Sequence, residues 1–286
     1  MALPVDTSSG LGGTRTTNVT EENYAFFQQH IYRESGIVLD LGKDYLLEAR
    51  LTPILRRESL ASLNDLCALL RATGGQSLKR EVVEAMTTNE THFFRDLAQY
   101  EALKTTLFPQ LLEQRRLARR LSFWSAAAST GQEAYSLAML MRGMELAGWN
   151  IQILGTDLAE SVLKRAREGK YMQIEVNRGL PAIYLTKYFT RHGMEWQLKD
   201  DIRAMVRFEG LDLRQDMHRL GPFDVVFCRN VLIYFDLETR KKILRQIDGT
   251  LFRGGYLFLG TAETALGLED RFERRSVGQA IVYQAR

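Results

Sequence analysis

Two acidic residues lie where an α/β fold could bind a nucleotide-type cofactor. Glu133 follows the small residues Ser129-Thr130-Gly131 at the start of a helical pattern, and Asp157 ends a second apolar run. A carboxylate in the first turn of a helix repels a pyrophosphate and favours a cation, whereas an acid after the second strand can accept hydrogen bonds from ribose hydroxyls. The pair favours a cofactor with an adenosine part, a sulfonium and an ammonium over NAD. In the alternative interpretation, Glu133 only complements the helix dipole.

The stretch Leu121–Arg142 is predicted to position these groups as a strand, a turn and a helix. Its first part, Leu121–Ala128, is apolar and uncharged, which is typical of a buried parallel strand, and apolar residues recur at helical spacing from Tyr135. The turn contains one glycine, not the three of the dinucleotide fingerprint. Such a unit forms the first half of a nucleotide-type binding crevice.

Strand and helix patterns alternate after this unit and end in a hairpin, while Tyr24–Met86 is helical throughout. Alternation of this kind predicts an α/β fold. We expect a helical N-terminal domain plus a class I SAM-dependent methyltransferase domain (Rossmann-like, seven-stranded) with a small inserted antiparallel β-subdomain. The expected boundaries are 1–19 for a disordered tail, 20–86 for the helical domain, 87–118 for a linker with a cofactor-contacting segment, and 119–286 for the methyltransferase domain, with 171–205 as the insertion.

Composition excludes several classes of protein. The 286 residues have a formal net charge of +3, too small to indicate nucleic acid binding by itself. Cys67 and Cys228 lie far apart and form no metal or redox spacing, and no apolar run has transmembrane length. The N-terminus lacks the pattern of a signal peptide. We expect a cytoplasmic monomer that binds no metal and no nucleic acid and does not insert into a membrane.

The segment Thr87–Asp96 places polar residues beside two phenylalanines and an arginine. It can be a capped helix start, with Asn89 or Thr91 as the cap and the aromatic rings packed at a domain junction, and the same segment can cover a ligand crevice. We expect both. His92 is expected to be structural, because no nearby Cys or second His completes a metal site.

Four segments in order, TNETHFFRD, SAAASTGQEAYSLAM, GTD and FDVVFCRNVLIYFD, resemble the chemotaxis receptor methyltransferases of the CheR family. The likeness extends from about Glu22 to the C-terminus. It implies transfer of a methyl group from S-adenosylmethionine to glutamate side chains on the cytoplasmic helical bundle of chemoreceptors, with S-adenosylhomocysteine as the product. It also implies that Arg95 and Tyr234 are catalytic. The cofactor-binding residues implied are Asn89, Thr91, Arg95, Glu133, Asp157, Asp212, Leu213, Cys228, Arg229 and Asn230.

The sequence departs from the family pattern at several positions. The family often has Cys where Ala128 stands, Glu-Glu-Pro where Gln132-Glu133-Ala134 stands, and Asn where Asp212 stands. The last change affects the expected adenine contact, because a carboxylate only accepts hydrogen bonds where an amide can also donate. Some members bind a receptor's C-terminal pentapeptide through a glycine-containing loop. The compact stretch 190–196 has one glycine and favours a member without that tether.

A receptor-binding surface and two other functions stay open at this stage. Arg50, Arg56 and Arg57 in the second helix could form a basic face for the acidic side of a receptor bundle, although most such faces are only solvated. The alternative functions are a SAM-binding adaptor or regulatory protein of a pilus or surface-sensing pathway, and a methyltransferase for RNA or small molecules.

Overall fold

The computed structural model describes residues 19–72, 75–144, 146–265 and 267–286. Residues 1–18 of the predicted tail lie outside the described residues. The described residues fall into two units. One contains the residues up to His30 together with Leu39–Met86, and the other contains Ile31–Val38 together with Thr87–Arg286.

The smaller unit is helical in all its described regular elements, as predicted. Apolar residues at helical spacing produce this structure: Leu47, Leu51 and Ile54 are buried on one face of the second helix. Ser62 caps the third helix, since its Oγ atom accepts a hydrogen bond from the Asp65 backbone at 3.2 Å. The helices are α1 (Glu21–Ser35), whose end belongs to the larger unit, α2 (Asp44–Arg57), α3 (Leu63–Ala72) and α4 (Gln76–Met86).

Eight further helices lie in the described part of the larger unit. A π-helical turn at Leu103–Leu107 joins the first two of them. The eight are α5 (Leu97–Ala102), α6 (Phe108–Gln114), α7 (Gln132–Arg142), α8 (Glu160–Glu168), α9 (Gln173–Asn177), α10 (Ala182–Tyr188), α11 (Asp200–Arg203) and α12 (Leu237–Thr250).

Ten strands complete this unit in its described part. They are β1 (Arg120–Ala126), β2 (Asn150–Asp157), β3 (Lys170–Met172), β4 (Phe189–His192), β5 (Glu195–Leu198), β6 (Val206–Gly210), β7 (Phe223–Cys228), β8 (Leu251–Leu259), β9 (Phe272–Val277) and β10 (Ala280–Ala285). The central strands β7 and β8 are the richest in β-branched, aromatic and leucine residues, which favour extended structure between buried faces.

Seven strands form one sheet in the order β6-β2-β1-β7-β8-β10-β9. The first five pair in parallel, and β10 pairs antiparallel with both β8 and β9. Side chains alternate between the two faces: Phe123 and Phe227 lie in one buried cluster with residues of α7, and Trp124 and Val226 lie in a second cluster with residues of α12. The predicted seven-stranded α/β architecture with a terminal hairpin is therefore confirmed.

The insertion forms a separate antiparallel sheet in the order β3-β5-β4. This confirms the small antiparallel sheet expected from the sequence. One boundary near the cofactor segment differs from the prediction, which extended the first strand to Ala128. β1 ends at Ala126 because Ala127 adopts a positive φ of 62°, and β6 ends at Gly210, so that Asp212 lies in the loop after it.

Candidate active site

Four parallel strands end at the same edge of the large sheet, and a cavity opens there. β6, β2, β1 and β7 are neighbours in that order, so the loops after them converge. The cavity and its open mouth together contain about 920 Å³ of space that is not filled by protein atoms. All predicted site residues except Cys228 line it: Asn89, Thr91, Arg95, Glu133, Asp157, Asp212, Leu213, Arg229, Asn230 and Tyr234.

The turn after β1 has a backbone that requires small residues. Ala127, Ser129 and Gly131 have φ values of 62°, 51° and 93°. A Cβ atom at Gly131 would lie 3.1 Å from the Cβ atom of Ala166, so glycine suits this position. The Asp157 Oδ2 atom accepts a hydrogen bond from the Ser129 backbone at 2.8 Å. Asp157 therefore stabilises the neighbouring turn in addition to lining the cavity.

A buried ion pair joins Glu133 to Arg229. The Arg229 Nη1 atom donates to Glu133 Oε2 at 2.9 Å, and Ser125 Oγ donates to Glu133 Oε1 at 2.7 Å. The side chains of Arg229 and Glu133 are 1% and 13% exposed. Burial of the guanidinium opposes its charge, but the carboxylates of Glu133 and Asp96 outweigh that effect and raise the pKa of Arg229 above its ordinary value. Glu133 thus already has a cationic partner inside the protein, which the sequence did not reveal.

Arg229 also holds the segment that contains Arg95. Its Nη2 atom donates to the Arg95 backbone oxygen at 2.7 Å and to the Asp96 carboxylate. Phe94 and Asp96 flank Arg95 with φ values of 50° and 60°, a region that costs non-glycine residues about 1–3 kcal/mol. The Phe94 backbone donates to Ser136 Oγ at 2.9 Å. These contacts stabilise a strained backbone next to the cavity, and Asp96 is a site residue that the sequence prediction missed.

The insertion packs against the same segment. The ring of Phe93 lies 5.0 Å from that of Tyr171, and Phe94 stacks on Tyr184 at 5.1 Å. A Cβ atom at Gly179 would lie 2.1 Å from the Phe93 backbone oxygen, so only glycine permits this approach. The aromatic residues of this segment therefore pack against the insertion, within the larger unit, whereas the sequence placed them at a domain junction.

Tyr234 ends a short 3₁₀ helix, Leu232–Tyr234, that follows β7. Its side chain is partly exposed and lines the cavity, as does that of Arg95. On the far side of the turn, Asn89 accepts a hydrogen bond from Ser129 Oγ through its backbone oxygen at 2.9 Å. The two predicted catalytic residues share one cavity, and their roles stay predictions.

Asp212 is held by an arginine that the sequence prediction did not include. Arg214 Nη2 donates to Asp212 Oδ2 at 2.6 Å, and Arg214 Nη1 donates to the backbone oxygens of Tyr32 and Arg33 at 3.1 and 3.0 Å. The carboxylate that stands where the family often has an amide therefore has a cationic partner. Two further cavity residues, Ser35 and Ile37, come from the segment Ile31–Val38 and were also missed.

Cys228 differs from the other predicted cofactor-binding residues. Its side chain is fully buried in the cluster that contains Trp124 and Val226, and it does not line the cavity. Burial raises the pKa of the Cys228 thiol well above its ordinary value. The Cys228 side chain therefore lies outside the cavity lining, and the cofactor-binding role of this residue stays a prediction that only its backbone would serve.

The basic face proposed for α2 is largely engaged within its own unit. Arg57 forms ion pairs with Glu58 and Glu81, and Arg50 Nη1 donates to the Met86 backbone oxygen at 2.5 Å. Arg56 is exposed. The three arginines therefore do not present three unengaged charges to a partner.

The ranges that the structure describes contain neither a metal-type cluster nor a membrane-spanning helix. No group of three or more His, Cys, Asp or Glu residues in them could hold a metal ion. None of the helices in the described ranges is both long enough and apolar enough to cross a membrane.

Comparison with known proteins agrees with this architecture. Residues 22–87 match the all-alpha domain of the CheR methyltransferases, and residues 89–281 match their SAM binding domain. Chemotaxis protein methyltransferase 1 of Pseudomonas aeruginosa is 39% identical over 270 residues, which cover 92% of this chain and 98% of that protein. Chemotaxis protein methyltransferase Cher2 of Pseudomonas putida is 38% identical over 272 residues, with the same coverage of 92% and 98%. The chain belongs to the CheR methyltransferase family.

Proposed function

We propose that this protein transfers a methyl group from S-adenosylmethionine to glutamate side chains of chemoreceptors and so forms glutamate methyl esters. The observation that supports the proposal most directly is the meeting of Arg95, Glu133, Asp157 and Tyr234 in one cavity at the carboxyl ends of the parallel strands. The family's SAM binding domain and the chemotaxis methyltransferases among its relatives supply the cofactor and the class of acceptor.

The residues of the cavity fit this cofactor. Glu133 lines the cavity with a side chain that is 13% exposed, and its carboxylate would accept a hydrogen bond from an ammonium group. Asp157 ends β2, where an acid can accept hydrogen bonds from ribose hydroxyls. The buried Oδ1 atom of Asn230 has no hydrogen-bond partner among the described residues, and a donor on a ligand would satisfy it. Leu213 supplies an apolar wall suited to a purine.

The proposed reaction requires the protein to align the reactants and does not require a general base. When bound, S-adenosylmethionine supplies an electrophilic sulfonium methyl group. An exposed glutamate has a pKa of about 4.3, so the acceptor carboxylate is ionised near neutral pH. Arg95 and Tyr234 each donate a hydrogen bond to the same oxygen of the acceptor carboxylate, which leaves its other oxygen to attack the methyl group. Alignment of reactants can contribute roughly 7–11 kcal/mol to the lowering of a barrier.

Two variants of the full chain test these roles. Arg95→Ala and Tyr234→Phe should lower kcat, by about a hundredfold for Arg95, since removal of one oriented donor costs that much in other enzymes. The Kd for S-adenosylmethionine should change much less. Tyr45→Phe is a matched control, because Tyr45 is exposed in the smaller unit. The measurements are calorimetry with the cofactor and transfer of a labelled, base-labile methyl group to receptor-containing membranes. An unchanged kcat in both variants would remove them from catalysis.

The same measurements separate the other candidate functions. An adaptor would bind S-adenosylmethionine without transferring the methyl group, and a methyltransferase for another substrate would leave the receptors unlabelled. Tight binding of NAD together with no binding of S-adenosylmethionine or S-adenosylhomocysteine would contradict the proposal as a whole.

A further inference from the structure

One buried carboxylate outside the cavity binds the backbone of a cavity segment. Glu263 is 8% exposed and accepts four hydrogen bonds from backbone N–H groups. Its Oε1 atom accepts from Val231 at 2.9 Å and Leu232 at 2.8 Å, and its Oε2 atom accepts from Asn230 at 2.8 Å and Gly260 at 2.7 Å. Each oxygen of this carboxylate thus satisfies two donors.

Gly260 makes this approach possible. A Cβ atom at position 260 would lie 2.7 Å from Glu263 Oε2 and 2.9 Å from the Asn230 backbone nitrogen. Such distances are too short for non-bonded contact, so a larger residue would push the carboxylate away from the backbone it binds. The Glu263 backbone in turn donates to the Gly260 oxygen at 2.9 Å, which closes the turn after β8. The sequence GTAE at 260–263 is therefore built to place one carboxylate.

The segment held in this way contains two predicted site residues. Asn230 has a φ of 56°, a conformation that a non-glycine residue maintains only when its surroundings enforce it. The next residues begin the 3₁₀ helix that ends at Tyr234, and the first N–H groups of a helix have no partner within it. Glu263 satisfies those donors and so fixes the backbone from which Tyr234 reaches the cavity.

We propose that Glu263 is a positioning residue for methyl transfer. It lies outside the lining of the cofactor cavity and acts through the backbone of residues 230–232, which places Tyr234 against the acceptor carboxylate. The inference rests on the proposed function, because it assigns Tyr234 a part in that reaction. A purely structural cap would affect the stability of the fold and leave turnover at low temperature unchanged.

Glu263→Gln in the full chain tests this role. A carboxamide has one accepting oxygen, so two of the four N–H groups lose their acceptor whichever way it points. Glu269→Gln is the matched control: Glu269 is exposed in the following turn and accepts one hydrogen bond, from Gly267 at 2.9 Å. Three quantities are measured well below the melting temperature: the Kd for S-adenosylmethionine, kcat, and hydrogen exchange of residues 230–232.

The expected result is a split between turnover and affinity. In Glu263→Gln, kcat should fall at least about tenfold, the Kd should change less than about threefold, and exchange at residues 230–232 should accelerate, with none of these changes in the control. Combining it with Tyr234→Phe should lower kcat hardly below the value for Tyr234→Phe alone, because both changes remove the same contribution. Unchanged exchange, an unchanged kcat, or multiplicative effects in the double variant would each overturn the proposal.

Two other failures can be told apart from a failure of the proposed role of Glu263: a variant that does not fold, and a wild-type protein without the proposed activity. If Glu263→Gln does not fold, Glu263→Asp retains both oxygens and the charge but shortens the reach by about 1.5 Å, and it should show the same split between kcat and Kd. If the wild-type protein methylates no receptor glutamate, the proposed function fails by itself. Hydrogen exchange would then still decide whether Glu263 holds residues 230–232.

Discussion

Arg229→Met tests the ion pair that links Glu133 to the segment of Arg95. The substitution keeps a long, flexible side chain of similar reach but removes the positive charge and every donor. Three hydrogen bonds are lost: to Glu133 Oε2 at 2.9 Å, to the Arg95 backbone oxygen at 2.7 Å, and to Asp96. Because the Arg229 side chain is only 1% exposed, water does not replace these contacts without rearrangement.

The expected destabilisation follows from the two carboxylates left behind. Breaking a buried ion pair by removing one partner typically costs about 3–5 kcal/mol, because the charge left behind stays buried without a partner. Here Glu133 is 13% exposed and Asp96 is 30% exposed, so water partly solvates both after the change. We therefore expect the lower end, about 3 kcal/mol, which is somewhat more than a hundredfold in the folding equilibrium.

Urea unfolding followed by circular dichroism measures this loss, with Arg253→Met as the control. Arg253 is exposed on β8, and its replacement should change the free energy of unfolding by less than about 0.5 kcal/mol. Calorimetry on Arg229→Met should also show a weaker Kd for S-adenosylmethionine, since the segment of Arg95 loses its support. A loss of stability below about 1 kcal/mol would refute the view that Arg229 is the counter-charge of Glu133.

Two further predictions concern local geometry. Gly179→Ala should lower the free energy of unfolding by about 1–3 kcal/mol and lower turnover, because φ is 81° and the new Cβ atom would lie 2.1 Å from the Phe93 backbone oxygen. Gly193→Ala is the control: φ is 61° and nothing lies within 4 Å of the new Cβ atom, so it should cost about 1 kcal/mol and leave turnover unchanged. Equal turnover in the two would contradict this. Asp236→Ala should cost about 1 kcal/mol at pH 7, because Asp236 Oδ1 caps α12 by accepting from the Thr239 backbone at 2.9 Å. That hydrogen bond lowers the pKa of Asp236, so the stabilisation by its charge is present above pH ~4 and is lost as the pH falls through the lower folded-state pKa. An equal difference in the free energy of unfolding between wild type and variant at pH 7 and pH ~2 would contradict this prediction.

Most of the fold could be predicted because its elements have strong local patterns. β7 and α12 follow directly from the apolar run FDVVFC and the helical spacing after Asp236. The end of β1 could not be predicted, since the sequence has no signal that Ala127 would adopt a positive φ. The inclusion of Ile31–Val38 in the larger unit depends on contacts with residues far along the chain, such as Arg214, which periodicity cannot reveal.

The sequence pointed to residues that the structure places in the cavity lining, but it did not indicate the residues that hold them from behind. Asp96 and Glu263 act by binding other groups of the protein. Asp96 binds Arg229, which is 133 residues further along the chain, and Glu263 binds the backbone of Asn230, which is 33 residues before it. No short-range pattern encodes such pairs. Cys228 differs from the other predicted residues because alternation along β7 directs its side chain to the core.

The cavity favours a cation for a reason that the sequence supplied only in part. Its described lining contains the carboxylates of Glu90, Glu133, Asp157 and Asp212 and the guanidinium groups of Arg95 and Arg229. A simple excess of negative charge would be a weak argument, since Arg229 offsets Glu133. The two side chains differ in exposure: 13% of the Glu133 side chain is accessible to solvent but only 1% of the Arg229 side chain. The Glu133 side chain is therefore the more accessible of the two, while the almost fully buried Arg229 guanidinium donates a hydrogen bond to its carboxylate oxygen. A phosphate at the start of α7 would face that oxygen at short range, where repulsion is least screened.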